Sequence, residues 1–504
     1  MTRRLSLLAA LAALAGLTGC PKDNICPVGE VACHDRCVDL ASDAANCGGC
    51  GVTCDARATC EASACRCGPG LAACGAACVD PLSDPAHCGT CATACAPGQV
   101  CSTSAGATAC AAGCATGLTA CAGACVDEQA DRYHCGACDV ACAAGEACVA
   151  GACRSLQVAC FATNEVRAVA PDLATRATPR AAGEGPIALA ALGADVWAAA
   201  SISGSVVRLP LDLSRPSVET LLGGSDFEYL AVGSGKVVIA NSGAGSAVVF
   251  DPVANKVVDE LPLGATAAVN PRGIAFAAGK AYVSLYGDSL SGDPAVGQAI
   301  EVLDAADLAT CGQAGGPAHC FTKLATLPVA AGADAPGLPF PGRSLAVGGK
   351  VYVVLANLKK GSFGYYTDPA GPGRLAVVDA AAGDAVSFLS LGAGCENPGG
   401  LALHGTTLWV ACGAFPPAGG LVEVDLSGAT PVVGAVHAAP ITAPGNVAFC
   451  GDRGFVTDQY SGDVYPFDPV SYDRSPAAPT TICPVSAGQG GFAWAADILC
   501  ATRP

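Results

Sequence analysis

The chain is 504 residues long, holds 33 cysteines and carries a formal net charge of −17, with 26 basic against 43 acidic side chains. That balance excludes a broad basic surface for nucleic acid, and a charged fraction of only 14% excludes a charge-rich disordered polymer. A chain this long exceeds one hydrophobic core, and beyond its N-terminal segment no apolar run is long enough to cross a bilayer as a helix.

The first element in chain order is a targeting segment. Arg3 and Arg4 precede the apolar run Leu5 to Ala15, and Leu17-Thr18-Gly19-Cys20 follows. A charged start, a short apolar middle and small residues before a cleavage point make an export signal. The tetrapeptide resembles the lipobox of bacterial lipoproteins. This resemblance implies removal of residues 1–19, lipidation of the Cys20 thiol, and a short anchor linker over 20–25. Each buried CH₂ contributes about 0.8 kcal/mol, so acyl chains on Cys20 hold the protein to a membrane. Pro21 stands where inner-membrane retention favours Asp, which points to the outer membrane or cell surface. Lipid on Cys20 leaves 32 of the 33 cysteines, an even number.

Three cysteine-rich repeats follow, over 26–65, 67–110 and 114–153. In each, the first six steps between cysteines are 7, 4, 10, 3, 4 and 6 residues. Segments of this size with few large apolar side chains need covalent help to offset chain entropy. Eight cysteines allow four bridges among about 105 pairings, and spacing alone does not choose one. The cysteines of the Cys-x-x-Cys steps at Cys47/Cys50, Cys88/Cys91 and Cys135/Cys138 read as members of structural disulfides in an oxidising compartment, ahead of zinc or redox pairs.

The pattern Cys-x3-Cys-Val-Asp, then Asn-Cys-Gly-x-Cys or His-Cys-Gly-x-Cys, resembles the stigma-specific cysteine-rich family, found also in exported myxobacterial proteins. It covers residues 26–153 and implies extracellular, disulfide-bonded, non-enzymatic modules. His87 and His134 stand where the first repeat has Asn46, which argues against a shared histidine ligand.

Over 156–504 the sequence alternates apolar with polar residues at period two, broken by Gly, Pro and Asp. Second-strand segments recur at Val196-Trp197-Ala198, Val237-Val238-Ile239, Ala281-Tyr282-Val283, Val351-Tyr352-Val353, Leu408-Trp409-Val410 and Gly454-Phe455-Val456. Third strands end at Asp212, Asp251, Asp304, Asp379, Asp425 and Asp468, residues suited to Asx turns. Pro186, Pro271, Pro341, Pro398 and Pro444 open first strands. Four-strand units at this spacing predict an all-β, seven-bladed β-propeller, whose last blade joins two N-terminal strands near Val158 to Ala170 with Phe492-Ala493-Trp494 and Ile498-Leu499-Cys500. Val248-Val249-Phe250-Asp251-Pro252 with Lys256-Val257-Val258 resembles the YVTN-type β-propeller repeat family, which implies a recognition scaffold more often than an enzyme.

Eight cysteines remain in this region. Cys395 and Cys412 are 17 apart, as are Cys483 and Cys500, and an antiparallel pair brings such positions together. Cys395–Cys412 and Cys483–Cys500 are therefore expected, Cys311–Cys320 closes an inserted hairpin, and Cys160–Cys450 follows by elimination.

The span from Tyr282 to Asp304 is 22 residues and that from Tyr352 to Asp379 is 27, against 13 to 16 in the other four units. With the Pro-rich link from Val329 to Pro341, these insertions are predicted to converge on one face. They carry Tyr286, Asp288, Asp293, Lys359, Lys360, Phe363, Tyr365, Tyr366 and Asp368. Exposed aromatics mixed with a few charges predict a binding patch for a protein or glycan.

The six histidines, His34, His87, His134, His319, His404 and His437, form no HxH or HExxH pair, and no GxSxG elbow occurs. The expectation is a monomeric, lipid-anchored, non-enzymatic protein without cofactor or metal. The alternative is a lactonase-like hydrolase with a channel metal near Glu396, Asn397 and Asn446. Calcium at Asp288, Asp293 or Asp368 lacks an EF-hand spacing.

Overall fold

Cysteine pairing sets the backbone path of the N-terminal unit, Met1–Asp127, in the computed structural model. The structure describes residues 26–503 except 27–29, 34–35, 56, 69, 105–106, 144, 175, 225, 289–292, 294–295, 414–418, 439–442, 473–478 and 486–492. The targeting segment and Cys20 lie outside the described residues.

The first two repeats use one pairing: first with third, second with fifth, fourth with seventh, and sixth with eighth. The bonds are Cys26–Cys37, Cys33–Cys50, Cys47–Cys60 and Cys54–Cys65, then Cys67–Cys78, Cys74–Cys91, Cys88–Cys101 and Cys95–Cys110. In the third repeat Cys114–Cys125, Cys135–Cys148 and Cys142–Cys153 keep the scheme. The bonds staple short hairpins such as Val31–Cys33 with Arg36–Val38.

The conserved spacing has local causes. Asp39 accepts from the Ala41 N–H and the Ser42 hydroxyl, and Asp80 repeats this with Leu82 and Ser83. Asn46 Oδ1 accepts the Gly51 N–H at 2.8 Å, and His134 Nδ1 accepts the Asp139 N–H at 3.0 Å. The histidine thus replaces an amide cap. Gly48 has φ of +72°, and a Cβ there would lie 2.5 Å from the Ser63 carbonyl oxygen, so the Cys-Gly step admits no side chain.

The second unit, Glu128–Pro504, contains six consecutive antiparallel four-stranded sheets, from Pro186–Leu192 to Thr480–Thr481. A further sheet sets the C-terminal strand Ala495–Thr502 beside Ala152–Cys160, followed by Glu165–Val169 and Arg180–Ala181. The innermost strands Pro186–Leu192, Phe227–Gly233, Pro271–Ala277, Pro341–Val347, Pro398–His404, Pro444–Cys450 and Ala495–Thr502 touch in that order, and the last meets the first. The ring is closed, which leaves no long unpaired sheet edge. We number the blades one to six from Pro186, and the closing sheet as seven.

Between each pair of adjacent blades lies its own apolar cluster. Trp197 and Ala188 meet Leu230, Val237 and Phe250 between blades one and two, and Trp409 meets Val447 and Phe467 between five and six. The second-strand aromatics are therefore packing residues, with Trp197 2% and Trp409 1% exposed. All six recurrent aspartates cap turns, accepting N–H groups two residues ahead, as Asp304 does from Ala306 at 2.9 Å and Asp468 from Val470 at 2.7 Å.

Three details differ from the sequence reading. The closing sheet takes four strands from the N-terminal side, Ala147–Val149 included, and one from the C-terminal side, while Ala493 and Trp494 lie in coil. The compact division falls between Asp127 and Glu128, inside the third repeat, because its last hairpin runs on into Ala152–Cys160 and Arg503 pairs with the buried Glu146 at 3.6 Å.

The third difference corrects two bridges. Cys395–Cys412 and Cys311–Cys320 form, but Cys483 bonds Cys160, and Cys500 bonds Cys450. The bond in blade five joins the loop before an inner strand to the end of the second strand. In blade seven that second strand is Ala152–Cys160, so the equivalent partner of Cys483 is Cys160, not Cys500. Cys500 then faces Cys450 at the end of the neighbouring inner strand.

Candidate functional site

Every inner strand breaks register at its leading end. The slips fall at Pro186/Ala188, Phe227/Tyr229, Pro271/Gly273, Pro341/Ser344, Pro398/Leu401, Pro444/Val447 and beside Ala496. Proline has no N–H for the ladder, and an extra residue re-aims the side chains around it. Residues at these bulges line a cavity of 340 Å³, joined by Tyr286, Phe340, Gln459 and Trp494.

Charges enter this cavity in pairs. Arg272 Nη2 lies 3.4 Å from Glu228 Oε1, and the Arg272 guanidinium sits 4.3 Å from the centre of the Tyr286 ring. Arg343 Nη1 lies 2.9 Å from Asp497 Oδ1, and its guanidinium is 5.2 Å from the Tyr229 ring centre. Asp497 also accepts the Leu189 and Ile498 N–H groups. Glu228 and Arg272 lie deep within the protein yet face the open cavity, with 18% and 36% of their side chains accessible. Burial raises the Glu228 carboxyl above its ordinary range, against the pull of Arg272. It raises the Tyr286 hydroxyl as well.

The blade-three and blade-four insertions build one wall of the cavity. Phe340, fully buried, packs 5.0 Å from Tyr286 and 5.2 Å from Tyr366 between ring centres. The link carrying it is pinned to blade four by a Leu338–Leu358 bridge and by Asp334, which accepts from Asn357 Nδ2 at 2.8 Å and pairs with Arg374. Gln298 Oε1 accepts the Phe340 N–H at 2.8 Å, adding a tie from blade three.

The predicted binding residues separate into two places. Tyr286 lines the cavity and Tyr366 backs its wall through Phe340. Lys359, Lys360 and Asp368 lie exposed on the hairpin Leu358–Lys360/Tyr366–Pro369, with Phe363 and Tyr365 in its turn at 88% and 48% exposure. Lys360 Nζ stands 5.5 Å from the Tyr366 ring centre. Asp288 is not part of the cavity lining.

Of the alternative channel set, Asn397 and Asn446 line the cavity and Glu396 does not. Among the described residues no three His, Asp or Glu side chains converge; every close group of ligand-type atoms contains at least two cysteines, and those are disulfide-bonded. The cavity lining holds one carboxylate, Glu228, and it faces Arg272.

Sequence reasoning missed Glu228, Arg272, Arg343, Gln459 and Trp494. The available signal was a polar residue one or two positions after the strand-opening Pro or Phe, as in Phe227-Glu228, Pro271-Arg272 and Pro341-Gly342-Arg343.

Fold and cavity together define a β-propeller with a ligand-sized cleft, preceded by disulfide repeats. Residues 103–156 match the Stigma-specific STIG1-like protein family. No curated protein matches the chain. Among solved structures, a proposed 6-phosphogluconolactonase from Bacteroides uniformis is similar over 69% of this chain and 99% of its own, with 11% identity and a TM-score of 0.50. That likeness concerns the fold alone. A functionally unknown protein from Desulfotomaculum acetoxidans (13% identity, 69% and 98% covered, TM-score 0.48) and AztD from Citrobacter koseri (13%, 69% and 98%, 0.40) match more loosely.

Proposed function

We propose that this is an exported, lipid-anchored binding protein of the outer membrane or cell surface, held through Cys20. Its propeller engages a protein or glycan through the cavity and the adjoining blade-three and blade-four insertions, without catalysis. The observation that carries this reading is the shared wall: Tyr286 and Phe340 line the cavity, and Phe340 also supports Tyr366 on the hairpin. Long loops fixed on a rigid scaffold are where recognition concentrates.

Pull-down and glycan-array binding with the wild type and with Tyr365→Ala/Tyr366→Ala test the reading. Retention of one partner by the wild type and its loss in the double variant are expected; undiminished retention would remove the hairpin from the site. Cys20→Ser is expected to move the protein from the membrane to the soluble fraction, and a variant still sedimenting with membranes would refute the anchor.

A further inference from the structure

The lining of the cavity restricts what can fill it, granted that the cavity is a binding site as proposed above. Both arginines already face a carboxylate, Arg272 with Glu228 and Arg343 with Asp497. A ligand bearing net charge would find no spare counter-charge, and desolvating an unpaired charge is costly. Neutral ligands avoid that penalty.

The polar groups left over are uncharged. Among the described residues, the side-chain amides of Asn397 and Gln459 make no hydrogen bond within the protein, and both residues line the cavity. An amide both donates and accepts, and a hydroxyl can meet it at either end, whereas a carboxylate or phosphate only accepts and an ammonium only donates. Of the aromatics, Tyr286 is covered by Arg272 and Phe340 is fully buried. Trp494 is the remaining aromatic of the lining, partly buried and packed 4.6 Å from Phe161 between ring centres. The 340 Å³ volume lies near the lower end of the roughly 300–1,000 Å³ of small-ligand pockets. One ring with its hydroxyls fits that space.

The geometry points to a neutral sugar unit as the ligand of this cavity, with Trp494 against the apolar face of the ring and Asn397 and Gln459 on its hydroxyls. A hydroxylated ring offers an apolar face and an edge of groups that both donate and accept. A charged sugar of the same ring is the discriminating comparison.

The chain supplies its own probe. It has three tryptophans, and Trp197 and Trp409 are buried at blade interfaces, so a ligand-induced change in emission reports on Trp494. The full chain is titrated with glucose, galactose, mannose and N-acetylglucosamine, and with glucuronate and glucosamine as charged analogues, alongside a neutral and acidic glycan array. At least one neutral sugar is expected to change the emission, with its charged analogues weaker by about tenfold or more. Asn397→Ala/Gln459→Ala is expected to weaken neutral binding by about fivefold or more. Glu228→Gln, checked for folding by its melting curve, leaves Arg272 unpaired and is expected to turn the preference toward glucuronate. Equal or tighter binding of charged sugars by the wild type, or silence toward every neutral sugar and glycan, would overturn the inference. Capture of a protein partner that depends on Tyr365 and Tyr366, without any sugar response, would overturn it while leaving the binding function standing. Failure of both arms would remove both.

Discussion

Asp251 and Asp425 close the same kind of turn in different surroundings. Asp251 accepts the Val253 and Ala254 N–H groups and also holds Lys236 Nζ at 2.8 Å, with both side chains almost wholly buried. Asp425 is exposed and, among the described residues, accepts only from Ser427. Asp251→Ala strands a buried ammonium and is expected to cost about 3 kcal/mol by chemical denaturation, whereas Asp425→Ala moves the midpoint little. Backbone N–H groups from Ser427 and Val470 hold the Asp425 and Asp468 carboxyls below the ordinary carboxylate value of 3.8. A depressed folded value stabilises above the unfolded value, and that contribution is lost as pH falls below it. Asp425→Asn/Asp468→Asn is therefore expected to flatten the decline of melting temperature below about pH 4.

At the scale of elements, the wall residue Phe340 and the hairpin it supports form one unit. Phe340→Ala is expected to cost about 3 kcal/mol and to expose residues 361–365 to limited proteolysis, with cleavage followed by mass spectrometry. An unaltered digestion pattern would show that Asp334 and the Leu338–Leu358 bridge hold the hairpin alone. The second strands and their turn aspartates were legible because period-two alternation and Asx capping are written locally, as at Val351-Tyr352-Val353 and Asp379. The loop cluster was legible from excess length between Tyr352 and Asp379. The cavity was not: a bulge leaves composition unchanged and only displaces the phase of alternation, so Arg272 and Glu228 read as ordinary polar positions. Tyr366, named as a contact residue, also packs against Phe340.

For the whole molecule, ring closure rests on one noncovalent seam reinforced by sulfur. Ala495–Thr502 pairs along Ala152–Cys160, while Cys160–Cys483 and Cys450–Cys500 tie both strands to blade six. A crosslink over 323 residues restricts the unfolded chain far more than Cys311–Cys320, which spans 9. Cys160→Ala/Cys483→Ala is expected to lower stability by about 4 kcal/mol, measured by calorimetry, and more than Cys311→Ala/Cys320→Ala does. The same connectivity orders events during biosynthesis. A polypeptide made from its N-terminus presents Cys160 long before Cys483 exists, among earlier thiols with which it could wrongly react. Correct maturation therefore requires that Cys160 be left, or set, free to pair until the final strand has been delivered.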